Sequence, residues 1–337
     1  TGVSPPARPW IRVTCEKELI KATALFCTGS ARCQFKPGQD DLFSGIAAAG
    51  DANILEGTVR ARGENARTLH YAPAGGDALY ELDADMNLLP VNDPEALRFH
   101  RENTAIPAGV LTVDTASVIY TDDSGRRWRL PKGDPSFDRD AAGGPARVCR
   151  EVCTERDLFN AHGTFYELPA ENAGGFAKVR PVCTHNRRIH DYCSWRGLLI
   201  LSGITASAPA GSHVIRSADG KAAVWAGAVD DLWKFGPPRG TGGAWNDTAV
   251  RKGVPSDPCL LWGFWRRTVT LSHTSREAVS VRVEMDLTGD GQWVEWKTLT
   301  VPAGKTVSEL IPWEVQARWV RFTPDTDCTA TAKLTFE

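Results

Sequence analysis

The sequence has no excess of charge of either sign, no long apolar run and no paired-cysteine zinc motif. Its 337 residues carry 39 basic and 41 acidic side chains, for a formal net charge of −2. Binding a phosphate backbone requires a basic surface, so this balance excludes nucleic acid as the expected partner. No run of about 18 apolar residues occurs, which argues against a transmembrane helix. Hydrophobic residues make up 42% of the chain, enough to form a folded core.

The first ten residues, "TGVSPPARPW", have neither the charged nor the apolar region of a signal peptide. We therefore expect either that a leader has been removed or that the sequence is a piece of a longer protein. The nine cysteines are odd in number, and their spacing matches no disulfide framework. Most of them are expected to be small buried hydrophobic residues.

Short β-type runs bounded by Gly, Pro, Asp or Ser dominate the sequence, among them "GVLTVD", "LLILSGI" and "VSVRVEMDL". Few stretches show helical periodicity, so the pattern predicts an all-β architecture. The exception is "DPEALRFHRE" (93–102). It predicts one short helix, with Asp93 as its N-cap and Pro94 at its first position.

Composition divides the chain into three parts. A stretch rich in glycine and proline predicts a linker or loop over residues 241–258. After it, "VSVRVEMDLTGDGQWVEWKTLTV" contains two alternating strands joined by a hairpin turn. Residues 259–337 are therefore predicted to form an antiparallel β-sandwich. Residues 1–240 are predicted to form the other domain.

One turn motif in that first domain is typical of β-propellers. Thr121, Asp123, Gly125 and Trp128 follow the pattern S/T-x-D-x-G-x-x-W, similar to the Asp-box of sialidase-like propellers. Its aspartate is expected to bind the turn backbone, its glycine to take a positive φ, and its tryptophan to pack under the next turn. At roughly 40–50 residues a blade, the domain holds about five blades. A larger propeller would have further blades outside this sequence.

Residues 156–203, 220–264 and 317–337 resemble bacterial β-propeller proteins with an appended β-sandwich that occur in polysaccharide-degradation systems. That group is similar to propeller glycoside hydrolases, including rhamnosidases that act on rhamnose–glucuronate linkages, and to ulvan-type polysaccharide lyases. The resemblance covers about residues 150–337. It implies a secreted or periplasmic protein that acts on a polysaccharide or oligosaccharide.

The segment "THNRRIHDYCSWRG" (184–197) and the residues before it are the predicted active site. A lyase acting on a uronate needs a base, an acid and a cation that holds the carboxylate. The favoured interpretation, a lyase or a histidine-dependent glycosidase, assigns proton transfer to three residues: His185, His162 and Tyr166. Arg180 or Arg188 would hold the carboxylate.

Two alternatives remain open. A hydrolase needs paired carboxylates, for which the candidates are Glu167, Glu171 and Asp191. A propeller that binds a glycan or a protein without catalysis is the alternative from another class. Further substrate contacts are predicted at three positions: Tyr192 as a stacking platform, and Arg239 and Trp245 in the glycine-rich loop.

Metal binding is weakly indicated. "DLTGDGQW" resembles half of a calcium loop, but the twelve-residue pattern ending in glutamate is absent. A hairpin turn is the favoured interpretation there. Zinc is disfavoured because Cys149 and Cys153 have a helical spacing in a region predicted to be strands. No cofactor is expected.

Overall fold

A computed structural model describes residues 10–16, 19–25, 42–62, 68–153, 156–211 and 213–337. The strands, numbered in chain order, are β1 Trp10–Glu16, β2 Leu19–Leu25, β3 Ile54–Leu55, β4 Gly57–Ala61, β5 Leu69–Pro73, β6 Leu79–Leu82, β7 Leu88–Val91, β8 Leu111–Val113, β9 Val118–Thr121, β10 Arg127–Leu130, β11 Cys149–Cys153, β12 Arg156–Ala161, β13 Thr164–Pro169, β14 Arg180–Thr184, β15 Tyr192–Trp195, β16 Leu198–Leu201, β17 Ile204–Thr205, β18 Val214–Arg216, β19 Ala223–Gly227, β20 Gly240–Val250, β21 Cys259–Leu260, β22 Arg267–His273, β23 Val279–Asp286, β24 Trp293–Val301, β25 Thr306–Ile311, β26 Trp319–Pro324 and β27 Cys328–Phe336. One α-helix, α1, spans Pro94–Thr104, and short 3₁₀ helices span Pro135–Asp138, Glu171–Ala173, Gly175–Lys178 and Val229–Phe235. The all-β prediction is confirmed.

Helix α1 forms where the sequence predicts it. The Asp93 side chain accepts hydrogen bonds from the backbone N–H groups of Glu95 (3.0 Å) and Ala96 (2.9 Å), and Pro94 is the first helical residue. These bonds satisfy two of the N–H groups that a helix leaves unpaired at its start. Within the described part of the chain, no helix is long and apolar enough to cross a membrane.

The chain divides into two compact units. Unit 1 comprises residues 1–107, 139–152 and 187–231, and unit 2 comprises residues 108–138, 153–186 and 232–337. Unit 1 contains two four-stranded antiparallel sheets, in the orders β4-β5-β6-β7 and β15-β16-β19-β18. They share one apolar cluster, which includes Val59, Tyr71, Tyr80, Trp195, Ile200 and Val224. The first sheet is a meander of consecutive strands.

Unit 2 contains the carboxyl-terminal strands in two sheets. One has the order β24-β23-β26-β21-β10-β9-β8, and the other the order β20-β27-β22-β25. Buried residues alternate along β22 and β27, as expected for strands with one face in a core. Trp245 of β20 packs against Phe322 of β26 with ring centroids 6.1 Å apart, which joins the two sheets. Strands β12, β13 and β14 form a further antiparallel group.

The predicted linker over 241–258 is wrong for its first half, because β20 occupies Gly240–Val250 and pairs with β27. The glycines of this stretch have a structural cause. A Cβ atom at Gly243 would collide with the carbonyl oxygen of Ala332, and the register shifts between Gly243 and Trp245. Glycine here allows close approach at a bulge, which composition alone does not distinguish from a flexible loop.

The turn between β9 and β10 departs from the predicted motif, because the aspartate that binds its backbone is Asp122 and not Asp123. The Asp122 carboxylate accepts hydrogen bonds from the backbone N–H of Arg126 (2.9 Å) and from Trp128 Nε1 (2.8 Å). Gly125 has a φ of +82°. Trp128 is buried, with its ring centroid 4.5 Å from that of Trp319. One residue of register therefore decides which carboxylate stabilises the turn.

We expect Asp122→Ala to lower the free energy of unfolding by about 2 kcal/mol, because it removes several hydrogen bonds to one charged group. Exposed Asp123 provides the matched control, and Asp123→Ala should stay within about 0.5 kcal/mol of wild type. Urea denaturation at pH about 7 measures both. Equal effects of the two variants would contradict the assignment.

The same variant has an expected pH dependence. Burial opposes ionisation of Asp122, but hydrogen bonds from Ser124, Trp128 and Arg126 outweigh it and lower the pKa of this carboxyl. A lowered pKa adds stability that is present above the unfolded value of about 4 and is lost as the pH falls through the folded value. The difference in the free energy of unfolding between wild type and Asp122→Ala should therefore become smaller at acidic pH.

Candidate functional site

The structure does not assemble the predicted active site within either unit. Unit 2 contains His162, Tyr166, Glu167, Glu171, Arg180, His185, Arg239 and Trp245, whereas unit 1 contains Arg188, Asp191 and Tyr192. Neither unit by itself therefore holds the complete predicted set.

His162 is a turn residue rather than a strand residue. Its φ is +50°, and it forms the two-residue turn between β12 and β13 together with Gly163. Because His162 is outside the strand, the alternation of side chains along β13 does not place it on the same face as Tyr166. Its Nδ1 accepts the Gly133 N–H at 3.0 Å, and its Nε2 lies 2.9 Å from Asp138 Oδ1. Burial lowers the pKa of this imidazole. Both ring nitrogens are engaged in holding the turn, and the predicted role of His162 in proton transfer stays a prediction.

The two predicted tyrosines are core residues. Tyr166 is fully buried against Phe159, with ring centroids 6.1 Å apart, and burial raises the pKa of its hydroxyl well above the usual range. Tyr192 is also fully buried, and its hydroxyl donates to the carbonyl oxygen of Val148 at 3.0 Å. Neither ring is available for proton transfer to a polysaccharide or for stacking on it.

His185 lies directly after β14, at the strand end where the sequence predicts it. Its ring is 94% buried between Phe165 (4.6 Å) and Phe235 (5.8 Å), and Nε2 lies 3.2 Å from Asn160 Oδ1. These contacts embed the ring in the interior of unit 2. The role of His185 as the base stays a prediction.

The predicted charged contacts form separate pairs. Arg180 and Glu167 lie opposite each other on β14 and β13, with an Nη2–Oε2 distance of 2.6 Å. Glu171 begins an exposed 3₁₀ helix, and exposed Arg239 bonds Thr184 through its backbone. The Arg188 backbone N–H donates to the Ala47 carbonyl at 2.8 Å.

Asp191 and Trp245 are structural. The Asp191 carboxylate is fully buried, 2.5 Å from Arg147 Nε and 3.3 Å from Arg150 Nη1, and it accepts the Val59 N–H at 2.9 Å. Trp245 is 8% exposed and packs against Phe322. Both side chains are buried in these positions, and their predicted roles toward substrate stay predictions.

A different set of polar side chains lies on the face of the first sheet of unit 1 that α1 covers, with His70 at 7% exposure among them. Strand pairing places Arg60 of β4 opposite His70 of β5, and His70 opposite Glu81 of β6. Residues directly opposite each other share a face, so the three form a row, which we call the Arg–His–Glu row. Their neighbours Tyr71 and Tyr80 point into the core. His70 Nε2 lies 3.5 Å from Glu81 Oε2.

Helix α1 forms the other wall of this site. The Nε2 atom of His100, a residue of α1, lies 2.9 Å from Thr58 Oγ1 on β4. The ring centroids of His100 and His70 are 6.1 Å apart. The Arg60 guanidinium lies 5.0 Å from the centroid of the Phe99 ring. The helix and the sheet enclose a cleft of about 490 Å³, within the usual range for a small-ligand site.

The surroundings of the two histidines favour their neutral forms, and the cleft is lined by three arginines (Arg60, Arg62 and Arg98) and three carboxylates (Asp93, Glu95 and Glu102). Burial, with positive charge on His70 and Arg60, lowers the pKa of His100 to about 4. Burial also lowers the pKa of His70, against the opposing effect of Glu81. Arg60 Nη1 is buried without a hydrogen-bond partner among the described residues. A neutral base beside such a cation is suited to abstracting a proton near a carboxylate.

The sequence contains a signal for this site that our sequence analysis missed. Thr58, Arg60 and Arg62 alternate with apolar residues in "GTVRAR", which places them on one face of a strand. The residues that complete the site lie in "LHYAP", "LYEL" and "RFHRE". Their convergence depends on strand register and helix docking, which no local motif encodes.

Metal ligation has little support in the described residues. The Asp286 carboxylate, at the start of "DLTGDGQW", accepts the backbone N–H groups of Gly289 and Gly291 at 2.8 Å each. This confirms a hairpin turn between β23 and β24. The described part of the chain contains no group of three or more metal-ligating side chains. Cys183, Cys193 and Cys259 are buried, as predicted, whereas Cys27 and Cys33 lie outside the described residues.

Comparison with known proteins gives little similarity. No family model matches the chain, and no curated protein matches it. Among solved structures, PirA is 15% identical over 30% of this chain and 86% of its own, with a TM-score of 0.17. A streptogramin B lyase is 11% identical over 61% and 63%, with a TM-score of 0.18. A family 43 arabinoxylan arabinofuranohydrolase from Bacillus subtilis is 11% identical over 97% and 78%, with a TM-score of 0.21. Such low TM-scores do not establish a common fold.

Proposed function

We propose that this chain is a carbohydrate-active enzyme that cleaves a glycosidic linkage beside a uronate, in the cleft between the Arg–His–Glu row and α1. The observation that carries the proposal is the row itself. It places a histidine between a carboxylate and an arginine, and a second histidine closes the cleft. A uronate lyase needs such a base and such a cation.

In this mechanism Arg60 holds the uronate carboxylate and His70 is the base. A neutral His70 that donates its Nε2 proton to Glu81 carries its lone pair on Nδ1. Nδ1 removes the proton on the carbon beside the carboxylate, and that electron pair forms a carbon–carbon double bond. The bond from the neighbouring carbon to the glycosidic oxygen breaks, and the leaving oxygen takes the proton from His70. Glu81 stabilises the transient imidazolium, as carboxylates do in catalytic triads.

Hydrolysis by the carboxylates predicted from the sequence has less support. Glu167 is paired with Arg180, and Asp191 is buried in an ion cluster. A hydrolase requires one protonated and one ionised carboxyl group that both face the substrate. Binding of a glycan or a protein without catalysis is the alternative from another functional class. An assay for cleavage of polysaccharides distinguishes it from an enzyme.

We further propose that the four-stranded sheets of unit 1 are blades of a β-propeller and that the protein acts outside the cytoplasm. The meander β4-β5-β6-β7 has the strand order of a propeller blade. The resemblance noted from the sequence supports this architecture, and an extracellular polysaccharide as substrate supports secretion or a periplasmic location.

The experiment that tests the function is incubation of the protein with uronate-containing and neutral polysaccharides. Ultraviolet absorbance and released reducing ends are followed together. We expect both signals to rise with a uronate polymer, because β-elimination creates a conjugated double bond and a new reducing end. Reducing ends without absorbance would mean hydrolysis and would overturn the lyase. Neither signal across the panel would leave binding without catalysis as the function.

A further inference from the structure

A second cleft, in unit 2, has a lining unlike that of the first. It encloses about 450 Å³ at one end of the sheet β20-β27-β22-β25. Its lining residues are Trp262, Gly263, Phe264, Trp265, Arg267, Trp313 and Gln316. Two of these tryptophans are largely exposed: Trp265 is 80% exposed and Trp313 is 70% exposed.

Strand register explains why the two tryptophans meet. Arg267, the first residue of β22, pairs with Ile311, the last residue of β25. Trp265 precedes Arg267 by two residues and Trp313 follows Ile311 by two, so both rings lie at the same end of the sheet. Two exposed indoles leave a large apolar area in water, which marks an interaction site more often than a structural one.

The floor of this cleft is apolar and holds one buried cation. Phe264 stacks on Phe336 with ring centroids 4.1 Å apart. Arg267 is 3% exposed, and its Nη2 donates to the Pro312 carbonyl at 2.8 Å. Among the described residues, its Nε has no hydrogen-bond partner and no carboxylate lies within ion-pair distance of Arg267. Burying an arginine without a counter-charge is unfavourable, so an anion bound here would stabilise it.

We infer that this cleft is a binding site for an acidic sugar residue of a glycan, separate from the cleft of unit 1. The carboxylate bonds Arg267, and sugar rings stack on Trp265 and Trp313. The C–H faces of a sugar ring carry partial positive charge and complement the negative face of an indole. An arginine guanidinium matches the planar geometry of a carboxylate. The inference does not depend on cleavage in the first cleft, since binding is measured without turnover.

The test is isothermal titration calorimetry of the full chain with acidic oligosaccharides. The panel contains oligomers of galacturonate, mannuronate, guluronate and rhamnose–glucuronate, together with their carboxyl-reduced counterparts. We expect at least one acidic oligomer to bind and its carboxyl-reduced counterpart to bind about tenfold more weakly or worse. Trp265→Ala and Trp313→Ala should each weaken binding by about tenfold.

Matched variants separate this site from general effects. Trp233, 47% exposed in the same unit but outside the cleft, provides the control, and Trp233→Ala should bind as wild type does. Arg267→Gln should bring the affinities for acidic and neutral oligomers together, and Arg267→Lys should retain part of the preference. Thermal melts confirm that each variant is folded. If Arg267→Gln does not fold, the two tryptophan variants and the carboxyl-reduced oligomers still show whether the cleft binds an acidic sugar.

Three results would overturn the inference. The first is the absence of binding by every acidic oligomer, and the second is equal binding of acidic and carboxyl-reduced oligomers. The third is a dimer in sedimentation that Trp265→Ala dissociates, which would show that a second copy of the chain covers the cleft. Failure of the cleavage assay with retained acid-dependent binding would reject only the proposed enzymatic function.

Discussion

Asp191→Ala should lower the free energy of unfolding by about 3–5 kcal/mol, because it leaves buried cations without their counter-charge. The Asp191 carboxylate lies 2.5 Å from Arg147 Nε and 3.3 Å from Arg150 Nη1. It also accepts the backbone N–H groups of Val59 (2.9 Å) and Tyr192 (2.8 Å). All of these groups lie in unit 1, and Asp191 is fully buried.

The effect should be large because β4 is an edge strand of its sheet. Its backbone groups on the outer side pair with no strand in the described part of the chain, so side chains must satisfy them. Asp191 binds the Val59 N–H, and Arg150 Nη1 binds the Val59 carbonyl at 2.8 Å. Arg147 additionally donates to the carbonyl of Thr104, at the end of α1. Loss of the carboxylate therefore removes the support of both walls of the first cleft.

Urea denaturation with an exposed ion pair as the control measures this prediction. Lys297 and Glu309 are 2.6 Å apart with partly exposed side chains, so Glu309→Ala should cost less than about 1 kcal/mol. Asp191→Asn keeps the shape of the side chain and should fall between alanine and wild type. An Asp191→Ala variant within about 1 kcal/mol of wild type would show that the ion cluster does not stabilise the fold.

The sequence pattern predicts Asp191 as a hydrolytic carboxylate, whereas the structure places it in a buried ion cluster. A carboxylate among histidines and arginines has the same local pattern whether it faces solvent or a buried cluster. What distinguishes the two is the position of Arg147 and Val59, which are 44 and 132 residues away in the chain. Burial of Tyr166 and Tyr192 is likewise not predictable from the sequence. The alternation of apolar and polar residues indicates on which face of a strand a side chain lies, but not what packs against that face.

Features determined by neighbouring residues were predicted well. The Asp93 cap and Pro94 define α1, and the "TGDG" turn defines the hairpin of β23 and β24. Features that need a register were predicted less well. The turn carboxylate is Asp122 rather than Asp123, and β20 is a bulged strand where composition indicated a linker. The Arg–His–Glu row depends on the pairing register of three strands, which a local sequence motif does not predict.

Replacement of His70 should abolish most of the turnover if the row is the catalytic centre. A general base contributes about 10²–10⁴-fold, so His70→Gln should reduce kcat/KM by about that factor on the polysaccharide that the assay identifies. Glutamine keeps the volume of the side chain and a donor toward Glu81, so the fold of the sheet should persist. Arg60→Met should chiefly raise KM, because its loss removes a contact to the carboxylate.

The pH dependence gives a second readout of the same role. Burial lowers the pKa of His70, so its basic form persists below the ordinary value of about 6.5. The acid limb of kcat/KM should therefore lie below pH about 6.5, and it should disappear from the residual activity of His70→Gln. A merely structural His70 would lower activity without moving that limb.

His162 provides the matched control because it is also a buried histidine beside a carboxylate. It occupies a left-handed turn position, which asparagine tolerates, so His162→Asn should fold and retain wild-type kcat/KM. If His162→Asn lost turnover while His70→Gln retained it, the catalytic centre would lie in unit 2 and the Arg–His–Glu row would be structural. If both variants kept full activity, neither histidine would be the base, and the carboxylates that line the first cleft (Asp93, Glu95 and Glu102) would become the groups to replace.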